Sequence, residues 1–139
     1  MLAPLYDTAD GPSLSFLISL LHQSSCNAWM LLEGEQVCGA VWYQQVDDEA
    51  ELLDVRILAS HRHRGLGRQL LWASMTALAL QEVMHIRLEA RASNHAAIAL
   101  YRGLGFNEGG RRRDYYPCGE GREDAILMAL ELNRGGANP

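Results

Sequence analysis

Lysine is missing from this chain of 139 residues, and all twelve of its basic side chains are arginines. A Gly-Lys-Ser/Thr phosphate loop is thereby excluded. Cysteine is scarce. Cys26, Cys38 and Cys118 cannot all pair and none belongs to a C-x-x-C unit, which excludes a disulfide framework and a thiolate zinc knot and implies reduced thiols. No apolar run approaches the ~18 residues a membrane span needs, and no charged segment precedes the apolar stretch from Leu14 to Leu21. The expected location is therefore cytoplasmic, with no membrane partner. A positive charge balance is lacking too: the formal charge of -5 argues against a general nucleic-acid binder, whose phosphate contacts favour a basic surface. With 48% hydrophobic and 21% charged residues, 13 glycines and 4 prolines, the composition excludes collagen-like, low-complexity and mostly disordered chains. What remains is a globular chain whose length suits one domain, residues 1–139.

Residues 1–12 form a turn-rich lead-in, after which Ser13 can cap a short apolar helix running to about His22. Strands are expected at Trp29 to Leu32 and Val37 to Val46, joined by the tight turn Glu33-Gly34-Glu35-Gln36. After a second turn at Asp47-Asp48-Glu49, Leu53, Val55 and Ile57 alternate with Asp54 and Arg56 in a strand from Glu51 to Leu58. The polar, glycine-bearing segment Ser60 to Gly67 leads into a helix in which Leu66, Leu70, Leu71, Met75 and Leu78 recur at helical spacing up to about Glu82. His85 to Ala90 reads as a strand, and Asn94 or Ser93 caps a helix stopped by Gly103 and Gly105. Phe106 to Tyr116 and Asp124 to Leu132 make a final strand pair around Pro117 to Gly121, and residues 133–139 form a flexible tail. The order is helix, three strands, helix, strand, helix, two strands: a mixed α/β domain.

Chemistry concentrates in Arg62-His63-Arg64-Gly65-Leu66-Gly67-Arg68, between a strand and the start of a helix. Glycines let backbone approach a ligand closely, and the first amides of a helix have no intrahelical partner and sit at the positive end of its dipole. Such a segment suits a phosphate or pyrophosphate, with Arg62, Arg64 and Arg68 as counter-charge. It is not a dinucleotide fingerprint, because Leu70 stands at the third glycine position. This R-x-x-G-x-G segment is followed by Arg87-Leu88-Glu89-Ala90-Arg91-Ala92-Ser93-Asn94, Ala96 to Tyr101 and Leu104-Gly105-Phe106, then by Arg112 to Pro117 and Gly121 to Ala125. In that order the segments resemble the GNAT acetyltransferase superfamily and, within it, the ribosomal-protein-alanine N-acetyltransferase branch. The resemblance covers roughly residues 34–132.

The resemblance implies a mainly antiparallel central sheet flanked by helices, acetyl-coenzyme A as cosubstrate, no metal, and acetyl transfer to a protein N-terminal α-amine, that of a ribosomal protein beginning with alanine. Backbone amides of Arg62, His63, Arg64, Gly65, Leu66, Gly67 and Arg68 would hold the pyrophosphate. Backbone groups of Val55 and Ile57, with Asn94, would bind the pantetheine arm; Glu89 would be the general base and Tyr101 the general acid. An α-amine has a reference pKa of about 7.7 to 8.0, so a carboxylate need remove only one proton, and a tyrosine of pKa about 10 can protonate a thiolate as it leaves. Tyr115 and Tyr116 would form part of the peptide-binding wall. Acidic residues crowd the two turns (Glu33, Glu35, Asp47, Asp48, Glu49, Glu51, Asp54) and, if they face the acceptor, would attract a basic peptide.

Other readings stay open: another amine as acceptor (a lysine, a polyamine or a small molecule), or a coenzyme A-binding module without turnover. His61, His63, His85 and His95 lack a carboxylate or cysteine at a recognised ligand spacing, and Cys118 lacks a nearby histidine to activate it. The chain departs from the family at its start, where only about a dozen residues precede the helix at Ser13, so the family's first strand and helix are expected to be reduced or missing. Leu58 and Ala59 replace the family's usual aspartate and proline. The sheet edge this would expose predicts a homodimer or a covering partner.

Overall fold

A computed structural model describes residues 25–119 and 121–132. The expected lead-in, the helix from Ser13 to His22 and the tail from 133 onward lie outside these residues, as does the question of a reduced first strand. Six strands, β1 (Cys26–Glu33), β2 (Gln36–Val46), β3 (Glu49–Ile57), β4 (His85–Arg91), β5 (Asn107–Cys118) and β6 (Gly121–Glu131), form one sheet in the order β1-β2-β3-β4-β6-β5. Only β3 and β4 run parallel; the other neighbours are antiparallel. The crossover between the parallel pair carries α1 (Leu66–Leu80), and α2 (His95–Gly103) joins β4 to β5. The mixed, mainly antiparallel sheet and the order of these elements agree with the expectation.

Strand boundaries differ for identifiable reasons. β1 starts at Cys26, not Trp29, because Cys26, Asn27 and Ala28 pair with Gln44, Tyr43 and Trp42. The last hairpin is longer than expected: Pro117 and Cys118 continue β5 opposite Arg122 and Gly121. Proline is tolerated there because, among the described residues, β5 is an edge strand with no neighbour on its outer side to require the missing N–H.

The main core lies between the helices and one face of the sheet. It unites Val41, Tyr43, Leu52, Leu71, Met75, Leu78, Ile86, Leu88, Tyr101, Leu104, Phe106, Ile126 and Met128. Tyr43 is fully buried there and shares a 2.7 Å hydrogen bond with Ser74 of α1. A smaller cluster on the opposite face holds Val37, Ala40 and Trp42. Along β4 the burial alternates, with Ile86, Leu88 and Ala90 turned to the helices and Arg87, Glu89 and Arg91 to the other side.

Candidate active site

The sheet opens where its two parallel strands part. Pairing between β3 and β4 runs from Glu49 opposite His85 to Leu52 opposite Leu88 and goes no further. At that point Tyr43 faces Leu52 while Trp42 faces Asp54, so Leu53 is an extra residue on β3. Such a bulge bends the strand and increases its twist. The result is a gap flanked by Leu53 to Ile57 on one side and Glu89 to Arg91 on the other. Beyond the bulge, the Leu58 N–H donates to the Cys38 carbonyl at 2.8 Å. Antiparallel alternation then turns the backbone groups of Arg56 and Leu58 toward β2 and those of Val55 and Ile57 toward the gap. Both expected pantetheine-binding positions thus face the opening.

The loop at the end of β3 turns through a short 3-10 segment, Ala59–His61, and passes through left-handed backbone at His63 (φ 64°) and Gly65 (φ 74°) before α1 begins at Leu66. The Gln69 N–H donates to the Gly65 carbonyl at 3.1 Å. The amides of Leu66, Gly67 and Arg68 precede it in the first turn, where α-helical geometry provides no acceptor. Among the described residues no side chain caps this helix end, and a Cβ added at Gly65 would meet nothing within 4 Å. Open space therefore lies in front of unpaired amides at the positive end of a helix dipole. That is a fit for a diphosphate.

The loop's charged side chains are largely engaged in bracing it. Arg62 Nε donates to the Ile57 carbonyl at 3.1 Å, so of the two expected pantetheine-binding residues one has its carbonyl occupied. Buried His61 contacts the Ser60 hydroxyl at 2.8 Å through Nδ1 and Glu33 at 3.2 Å through Nε2, and Arg64 meets the same Glu33 carboxylate at 3.3 Å. Arg68 reaches the C-terminal end of α2, its Nη1 lying 3.2 Å from where a Gly103 Cβ would stand. Glu33 therefore answers the loop, and Glu49 answers Arg87 at 3.5 Å, so the acidic turns are not one uncommitted face waiting for a basic peptide.

Glu89 and Tyr101 lie on opposite faces of the sheet. Glu89 stands on the solvent side of β4 and pairs with Arg112 at 2.9 Å; Tyr101 is 7% exposed in the helix-side core, edge-on to Phe106. Burial first, and then the charges of Asp54 and Tyr116, push the Tyr101 phenol up to about 12, and burial followed by the Glu89 charge raises Tyr116 as well. Tyr101 thus keeps its proton across the neutral range, as a proton donor must.

Tyr115 and Tyr116 stack edge-on at 5.0 Å beside a wide bulge in β5, where Arg112 pairs with Ala125 but Tyr116 pairs with Glu123. Asp114 at the bulge has φ 50°, and its distortion is pinned from β6: Arg122 donates to the carbonyls of Asp114 at 2.6 Å and Tyr115 at 2.8 Å, while Asp124 accepts the Asp114 N–H at 3.1 Å. The Arg91 guanidinium lies 4.5 Å from the centre of the Tyr116 ring and also holds Glu123 at 3.3 Å. The backbone N–H of Ser93, chiefly, keeps Glu123 below the usual carboxylate range. Asn94 caps α2 by accepting the Ala97 N–H at 3.2 Å. Among the described residues no group of three or more His, Cys, Asp and Glu side chains could hold a metal ion. Arg91 and Arg112 also stand on the Glu89 face of the sheet. The alternation in β4 could have placed Arg91 beside Glu89, whereas the approach of Arg112 depends on the pairing of β5 with β6.

The acetyltransferase (GNAT) family model matches residues 3–106. A [ribosomal protein bS18]-alanine N-acetyltransferase of Salmonella typhimurium is 50% identical over 90 residues, 65% of this chain and 61% of that protein. One of the same name from Haemophilus influenzae is 40% identical over 103 residues, 73% of this chain and 70% of that protein. The matched stretch thus spans about three fifths of the length of the first relative. The crystal structure of the ribosomal-protein-S18-alanine N-acetyltransferase from Escherichia coli superposes with a TM-score of 0.86 at 36% identity, covering 99% of this chain and 92% of that one.

Proposed function

Because this chain belongs to the acetyltransferase (GNAT) family, we propose that it transfers acetyl from acetyl-coenzyme A to a protein N-terminal α-amine, that of a ribosomal protein beginning with alanine. The observation that carries this reading is the parting of β3 and β4, with the start of α1 beyond the end of β3 and Glu89 on the β4 flank; the burial of Tyr101 on the helix side supports pairing it with Glu89. The names of the two relatives and of the superposed structure support the choice of acceptor.

In this reading acetyl-coenzyme A supplies a thioester-activated acetyl group, and the chain's own groups do the rest. The amides from His63 to Arg68 hold the diphosphate, that of Arg62 being given to the Ala59 carbonyl. The backbone of Val55 and the N–H of Ile57, with Asn94, align the pantetheine along the edge of β3. Tyr115 and Tyr116 wall the acceptor peptide. Glu89 takes the proton lost by the attacking amine, directly or through water, and Tyr101 gives its proton to sulfur as the C–S bond breaks. No covalent enzyme intermediate is required. A cytoplasmic location, and a second copy covering an exposed edge strand, complete the proposal.

The test is an acetylation assay with matched peptides. Free N-terminal alanine peptides should be acetylated with stoichiometric release of coenzyme A, far faster than N-blocked lysine peptides or polyamines. Equal rates on the lysine peptides would overturn the acceptor assignment. Coenzyme A binding without release on any amine would overturn the transferase reading itself.

A further inference from the structure

We propose that Arg112 is the positioning residue for Glu89, holding one carboxylate oxygen so that the other is presented to the acceptor amine; this rests on the transferase reading above. β5 and β4 lie on either side of β6, two strand spacings of ~4.8 Å apart. Only long side chains leaning over the intervening strand can close that span. Arg112 faces Ala125 on β6, and Ala125 faces Arg91 on β4, so these three stand in one row, with Glu89 two residues before Arg91 on the same face. The methyl group of Ala125 leaves the arginine a path across.

The contact formed is specific. Arg112 Nε lies 2.9 Å from Oε1 of Glu89, a close ion pair. The guanidinium also lies 5.2 Å from the centre of the Tyr115 ring, which holds it from the other side by a cation–π contact. The neighbouring Arg111 does different work, pairing with Glu108 at 3.5 Å and Asp124 at 3.3 Å within the final hairpin. The arginine run thus divides between bracing the fold and aiming the base. Arg112 is also the last residue in register before the β5 bulge, so the distortion that presents Tyr115 starts where the arginine is anchored.

A double-mutant cycle tests this on the full chain, with Ala-terminal peptide and acetyl-coenzyme A both varied. Arg112→Gln should lower kcat about tenfold with both KM values within about twofold, and Arg112→Lys, which keeps the charge but not the Nε geometry, should fall between. In a Glu89→Gln background, Arg112→Gln should change kcat by less than about twofold, because the group it aims is gone. Full loss in both backgrounds would mark a merely structural role and overturn the inference, as would an Arg112→Gln protein of unchanged kcat. Should Arg112→Gln fail to fold, Arg112→Lys in the two backgrounds separates the same outcomes. If Glu89→Gln itself leaves kcat unchanged, the assignment of Glu89 as base falls and this inference with it. If Glu89→Gln is slow and the cycle is additive, only the inference falls.

Discussion

Replacing Gly67 by alanine separates the demands of the fold from those of the cofactor. Gly67 is the second residue of α1, where its backbone is helical, and an added Cβ would meet only Ile57 Cγ1 and Leu100 Cδ2, each at 3.8 Å, which is ordinary contact. The fold thus has no steric need for glycine there. Exchanging glycine for alanine in a compatible conformation restricts the unfolded chain and stabilises by about 0.4–1 kcal/mol, so Gly67→Ala should melt a few degrees higher than the parent. Ligand binding should move the other way. The Gly67 amide belongs to the unpaired first turn, and a diphosphate can approach it at hydrogen-bond distance only past a bare Cα. Losing one charge-assisted hydrogen bond costs about 1.5–3 kcal/mol, or roughly 10- to 100-fold in Kd. Gly65→Ala provides the contrast: φ 74° makes a side chain there strained, so it should lose about 1–2 kcal/mol of stability as well as affinity. Thermal melts together with calorimetric titration of coenzyme A read both quantities. A Gly67→Ala protein that is more stable and binds coenzyme A within twofold of the parent would refute the cradle.

Two further outcomes are expected. Tyr101→Phe keeps the ring packed edge-on to Phe106 and removes only the hydroxyl, so kcat should fall about 100-fold while coenzyme A affinity stays within twofold; equal losses in both would assign Tyr101 to packing alone. Stability should decline in alkali: Tyr43 and Tyr101 are both raised by burial, Tyr101 to about 12, and a group whose folded value exceeds its unfolded value stabilises fully below the latter. Urea midpoints should therefore be flat from neutral pH to about pH 10 and fall as pH rises toward 12, less steeply in Tyr101→Phe.

Much of this could be read along the chain because its causes are local. Alternation marks β3 and β4, glycines punctuate the loop before α1, and Asn94 announces α2 by its place three residues before Ala97, whose N–H it accepts. The opening of the site was not readable, because the bulge at Leu53 is a property of pairing: it exists only in the register of β3 against β2. The same holds for the role of Glu33. Its sequence context is a turn, and its partner Arg64 is 31 residues away. The face occupied by Glu89 was readable in principle, since Ile86, Leu88 and Ala90 are the apolar set of β4 and a period of two sends Glu89 to the other side. Placing Tyr101 on the helix side then follows from its membership of the apolar stripe of α2.

That opposition of faces bears on the chemistry. In the proposed transfer the two proton movements concern different atoms: the acceptor nitrogen loses a proton and the sulfur gains one. A base and an acid side by side would protonate each other or compete for one atom, whereas a gap through the sheet lets each address its own partner. Their surroundings differ in the same sense. The Glu89 side chain is 24% exposed, beside a wall that a peptide can reach and with solvent to carry the proton away. Tyr101 is 7% exposed, among apolar groups that keep it protonated across the neutral range, so that in the proposed transfer it holds a proton to give as the C–S bond breaks. In the proposed transfer the sheet separates an acceptor side from a cofactor side, and the bulge at Leu53 is what connects them. Restoring a regular register there would close the gap, and would disable both residues without touching either.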